Sequence, residues 1–135
     1  MIEQRRKLRE RFSLDISLKP KEISVTSYDE KFLHRAMDIV EGHLADSEFT
    51  VASFLKEVGM SRIHLHRKLR ALTNCSAREF IRVLRLKRAA QLLQQQSGNV
   101  TEVAFEVGFN NLSHFSRCFR KQFGKLPSEY TSIKN

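Results

Sequence analysis

A chain of 135 residues has room for one ordinary domain, or for two very small ones that share a helix. Hydrophobic residues at 41%, with ten Phe and no Trp, suffice for a core, but the apolar runs are too short to cross a membrane and no N-terminal segment reads as a signal peptide. A net charge of +9 and a pI near 10.0 point to a polyanionic partner.

Residues 1–28 carry seven Lys/Arg against four Asp/Glu and lack a compact apolar pattern. They read as a linker or arm, whose Arg5, Arg6 and Lys7 are candidates for a phosphate or minor-groove contact. Ser27 with Glu30 forms a capping-box pattern, and Leu33, Ala36, Met37, Val40 and Leu44 then recur at helical spacing. This first helix is expected to run to about Asp46. Residues 29–49 are acidic, with two basic residues against six acidic, so this helix is expected to face away from the polyanion.

Thr50 is placed to cap a second helix with Val51, Phe54, Leu55 and Val58 on one face and Gly59 as its stop. Ser61 caps a basic helix in which Leu65, Leu69 and Leu72 point inward, and Asn74 suits a left-handed position at its end. Ser76 with Glu79 opens the longest helix, roughly Ala77 to Gln96, whose apolar residues lie on more than one side. Its basic residues Arg78, Arg82, Arg85, Lys87 and Arg88 read mainly as solvated, with some in reach of phosphate. Ser97-Gly98 ends it, and Asn99 with Glu102 caps the next helix. Gly108 and Asn110 are expected to repeat the roles of Gly59 and Ser61. Phe115, Phe119 and Phe123 anchor a second basic helix that Gly124 stops, and Pro127 suits the first turn of a short final helix.

The chain thus repeats itself. Shifted by 49 residues, Val51, Glu57, Val58 and Gly59 fall on Val100, Glu106, Val107 and Gly108. After one inserted residue, Arg67, Arg70 and Glu79 fall on Arg117, Arg120 and Glu129. Each repeat is a helix, a tight turn and a basic helix, the pattern of a helix-turn-helix unit. Residues 50–76 and 77–96 each carry five basic residues against one acidic, so the positive charge sits on the repeat and on the segment joining the copies. The expected architecture is all-α: about seven helices, with subdomains at 29–76 and 97–135 joined by a linker helix at 77–96.

Cys75 and Cys118 lack paired-ligand spacing and read as structural thiols of a reducing cytosol. His64-x-His66 has the wrong spacing for one helical face, so no metal is expected. No nucleophile–base set or phosphate-binding glycine loop is present, so neither an enzyme nor a cofactor is expected.

With these residues in place, the chain resembles the DNA-binding domain of the AraC/XylS family of transcription regulators from about Asp29 to Tyr130. In VTEVAFEVGFNNLSHFSRCFRKQFGKLPSEY, the residues Ala104, Gly108, Phe109, Phe115, Arg117, Phe119, Gly124 and Pro127 all fit the family signature, and VLRLKRAAQLL fits its linker helix. SRIHLHRKLRALT, FIRVLRLKRAAQLL and the upstream RRKLRERFS and VTSYDEKFL are similar to the C-terminal output module of hybrid two-component regulators of Bacteroides-type bacteria. The resemblance implies a fragment of a longer, membrane-anchored protein, with this domain in the cytoplasm and making no membrane contact.

It also implies that the second helix of each unit enters the major groove, with the pair about one turn of DNA apart, roughly 34 Å. The base-contacting positions so implied are Ile63, His66 and Arg67 in the first unit, and Leu112, Ser113, Ser116 and Arg117 in the second. Arg67 and Arg117 are the strongest candidates, since a guanidinium grips guanine O6 and N7 together. Phosphate contacts are expected from Arg62, His64, Lys68 and Arg70, and from Asn110, Asn111, His114, Arg120 and Lys121. The implied partners are promoter DNA and RNA polymerase, with activation the expected outcome and a homodimer through other domains left open. Three other readings stay open: a free-standing small activator, a module working through protein contacts, and sequence-neutral packaging of nucleic acid. The last needs charge but not a duplicated, capped geometry.

Overall fold

The computed structural model describes residues 26–133; the expectations for the basic arm fall on residues outside them, apart from its last three positions. The described residues form seven helices: α1 Ser27–Glu41, α2 Val51–Val58, α3 Arg62–Thr73, α4 Ala77–Gln94, α5 Val100–Glu106, α6 Leu112–Phe123 and α7 Pro127–Ile133. The all-helical expectation is met.

The organising element is α4, which packs against every one of the other six helices. Its buried residues from Ala77 to Leu84 join a core built with Leu33, Ala36, Val40, Phe54, Val58, Leu65 and Leu69. From Leu86 to Leu93 they join a second core with Val103, Ala104, Val107, Phe115 and Phe119. The Phe54 and Phe80 rings stack at 5.9 Å in the first core, whereas Phe119 meets Phe115, Phe123 and Tyr130 at 4.7–5.7 Å in the second. Val58, Leu65, Val107, Phe115 and Phe119 are all buried, as their apolar spacing requires. Cys75 is buried too, and burial raises its thiol pKa, whereas Cys118 is half-buried.

Caps set the frame, and two differ from expectation. The capping box of α1 is Thr26 with Asp29, each accepting from the other's backbone amide at 3.1 Å, not Ser27 with Glu30. That register also lets Asp29 accept from Lys68 Nζ at 2.9 Å. The N-cap of α6 is Asn111, which accepts from the His114 amide at 2.9 Å, not Asn110, because the inserted residue lies in the turn. Thr50, Ser61, Ser76 and Asn99 cap as expected. At Leu126 the missing cap side chain is partly replaced by Glu129, whose carboxylate accepts from the Leu126 amide at 2.7 Å.

Two helices also end early. α1 stops at Glu41 instead of near Asp46, leaving the chain after it free to turn several carbonyls toward α4. α4 stops at Gln94, and Gln96 takes the left-handed position with φ 57°.

Candidate nucleic-acid interface

The second helix of each repeat is held by its apolar face and leaves its cationic face outside. In α3, Leu65, Leu69 and Leu72 are buried while Arg62, Ile63, His64, His66, Arg67 and Arg70 are exposed. In α6, Phe115 and Phe119 are buried while Leu112, Ser113, His114, Arg117, Arg120 and Lys121 are exposed and Ser116 is half-exposed. Ile63, at 73% exposure, is one of the most exposed large apolar side chains, and Leu112 stands at 40%. Neither covers a core, so neither is explained by packing.

The electrostatics of the two helices differ from their neighbours'. α1, α4, α5 and α7 each carry an acid in the first turn, where it offsets the positive end of the helix dipole, and α2, which lacks one there, carries Glu57 in its last turn. α3 and α6 carry none, have neutral caps, and end in Arg70 and in Arg120 with Lys121. Among the described residues no acid pairs with Arg62, Arg67, Arg117, Arg120 or Lys121. Cation-lined helices with open N-terminal amides suit a strand of phosphates.

Lys68 is placed differently from the rest. Its ammonium is half-buried on Asp29, 2.9 Å away, and lies 4.8 Å from the Tyr28 ring centre and 5.3 Å from that of Phe32. Burial raises the Asp29 pKa, but the Lys68 hydrogen bond, the Thr26 amide and the Lys68 charge outweigh it and hold the carboxyl below its usual value. Lys68 therefore ties α3 to α1 and is withdrawn from the expected phosphate set. His64, one turn earlier on the same row, is exposed but lies off the groove described next.

That groove runs between the two units. It is lined by Arg62, Ile63, His66, Arg67 and Arg70 of α3, by Arg78, Ile81 and Arg82 of α4, and by Asn110 and His114 of the second unit. It brings together first-unit and second-unit candidates that are at least 40 residues apart in sequence, from Arg70 to Asn110 (110 minus 70). It also adds Arg78 and Arg82, which the sequence left among solvated residues. Their four-residue spacing was a readable sign that they share a face.

Arg85, on the same row as Arg78 and Arg82, is the residue most misjudged from sequence. Expected to be solvated, it is 7% exposed and sits where α4 passes from the first core to the second. Nη1 donates to the carbonyls of Leu44 and Val107, and Nη2 to those of Asp46 and Phe49. Burial lowers its pKa, partly offset by the charge of Asp46.

This fold and surface match known proteins. The family description "helix-turn-helix domain" covers residues 54–132, and the chain belongs to that family. It is 42% identical over 130 residues to "Histidine kinase P4" of Formosa agariphila, covering 96% of this chain and 10% of that protein. The structure of a transcriptional regulator of Chromobacterium violaceum, titled as an AraC-type DNA-binding domain protein, superposes with a TM-score of 0.71 at 28% identity. It covers 79% of this chain and 95% of that one. The C-terminal domain of AraT, a response regulator of Geobacillus stearothermophilus, gives 0.68 at 25% identity, covering 76% and 85%. The chain spans only a tenth of the histidine kinase and about a third of other curated relatives, 30–37% of their length. The class is therefore settled as an AraC-type DNA-binding domain of transcription regulators. No helix among the described residues is long and apolar enough to cross a membrane.

Proposed function

We propose that this chain binds promoter DNA as the output module of a sensor-kinase regulator in the cytoplasm, with α3 and α6 entering successive major-groove segments of one duplex. The observation that carries this reading is the pair itself: two exposed, acid-free, cation-bearing helices built on one linker helix. Arg67 and Arg117 read guanine, each contact worth about 1–3 kcal/mol of discrimination. Ile63 and Leu112 meet thymine methyl groups, while His66, Ser113 and Ser116 donate to or accept from base edges. Arg62, Arg70, Asn110, His114, Arg120 and Lys121 hold phosphates, joined by Arg78 and Arg82 where the backbone crosses the groove. Asn111 acts through the cap that presents the start of α6, and His64 reaches phosphate only at the edge of the footprint. The likeness to a histidine kinase and to a response-regulator C-terminal domain supports the sensor-kinase setting. Recruitment of RNA polymerase, and hence activation, then follows from bound DNA.

The test is selection from a random double-stranded pool at about 150 mM salt, which screens loose phosphate attraction. Two enriched motifs about one helical turn apart are expected. Binding that enriches nothing and fades with salt would refute sequence-specific recognition by this chain.

A further inference from the structure

Arg85 borders the groove just described, but it is 7% exposed and its terminal nitrogens are turned inward to four backbone carbonyls. Its two terminal nitrogens bridge carbonyls from both units: Leu44, Asp46 and Phe49 lie in the segment between α1 and α2, and Val107 lies in the turn of the second unit. Those carbonyls are up to 63 residues apart in sequence, from Leu44 to Val107 (107 minus 44). The turn is shaped to admit the guanidinium. Gly108 has φ 91°, and a Cβ there would overlap Arg85 Nη1 and the Leu44 carbonyl oxygen and stand 2.7 Å from Arg85 Cζ. Gly59, its sequence counterpart, would meet nothing within 4 Å.

A hydrophobic contact slides at little cost, whereas a planar fork donating to four fixed carbonyls has one good geometry. The α2–α3 unit hangs from the α1–α2 segment, and α6 follows directly from the Val107–Asn110 turn. A clamp between those two places therefore sets how α6 sits relative to α3.

We propose that Arg85, seated against Gly108, is a positioning residue that fixes the separation and rotation of the two recognition helices, and so the base-pair spacing that this domain accepts between its two DNA motifs. This rests on the proposed reading of two motifs by one chain. Each base pair inserted between them moves the second motif by about 3.4 Å and rotates it by about 34°. A rigid pair of helices rejects that change, and a loosened pair follows it.

The test measures affinity for duplexes carrying the selected motifs at the selected spacing, with one or two base pairs added or removed, and for duplexes carrying a single motif. Wild type, Arg85→Lys and Gly108→Ala are compared; lysine keeps the charge without the fork, and alanine displaces the fork from the other side. Wild type is expected to lose about tenfold or more on a one-base-pair change, the order of a single mismatch. Both variants are expected to lose about threefold or less on that change while binding single motifs as wild type does. Variants as strict as wild type would overturn the inference. Loss of single-motif binding in both would mark Arg85 as a folding residue and overturn it equally. Wild type binding one motif as tightly as two would instead refute the two-motif reading beneath it.

Discussion

The two helix-turn-helix units come from one repeated pattern, yet matching positions do different work. Gly59 closes α2 in a left-handed turn with open space around it, whereas Gly108 makes room for a guanidinium. Lys68 is bound to α1 through Asp29, while Cys118, fifty residues on, is half-buried against the second core. The reason is what each unit has beside it: α1 packs on the first, α7 on the second. A repeat preserves the helix-turn-helix and its outward face; the inward positions answer to the neighbour, and the neighbours differ.

The largest test of this asymmetry is Arg85→Ala. It strands four carbonyls at the junction, and chemical denaturation is expected to show a loss of about 3–5 kcal/mol. A loss near zero would mean that the junction is held by apolar contacts alone. Next, Gly108→Ala is expected to cost at least about 2 kcal/mol, as overpacking adds to backbone strain, against about 1 kcal/mol for Gly59→Ala, where only the left-handed backbone is penalised. Equal losses would erase the distinction between the two glycines.

On the outward faces the units should behave alike. Arg67→Ala and Arg117→Ala are each expected to relax preference at one or two base pairs by about 1–3 kcal/mol with thermal stability unchanged, read by repeating the selection. Lysines again divide the units: Lys121→Ala should lower the slope of log affinity against log salt by about 0.9, and Lys68→Ala should leave it unaltered.

The smallest effect is acid sensitivity. The Asp29 carboxyl is held below its usual value in the fold, so its contribution is present above the unfolded pKa, near 3.9, and is lost as pH falls through the lower folded value. Asp29→Asn should therefore lower stability at pH 7 by less than about 1 kcal/mol, and the difference should shrink toward pH 3. A difference that grew on acidification would contradict the pairing with Lys68.

The readable parts of the chain were those governed by local chemistry. Ser61, Ser76 and Asn99 announce helix starts, Gly59 and Gly124 announce ends, and leucines and phenylalanines at three- and four-residue spacing fix which face of α3 and α6 is outside. The unreadable parts depend on partners far along the chain. Nothing near Arg85 tells that carbonyls at Leu44 and Val107 will converge on it, and nothing near Lys68 tells that Asp29 faces it. The shift of the α6 cap to Asn111 lies between, since two adjacent asparagines offer the same cap and tertiary packing chooses.

The most direct test of one chain reading two groove segments is methylation protection of guanine N7 on the selected duplex, at one chain per duplex. Two protected clusters on one face, about one turn of 10–10.5 base pairs apart, are expected, one lost in Arg67→Ala and the other in Arg117→Ala. A single protected cluster, or two clusters that appear only with a second chain bound, would contradict it.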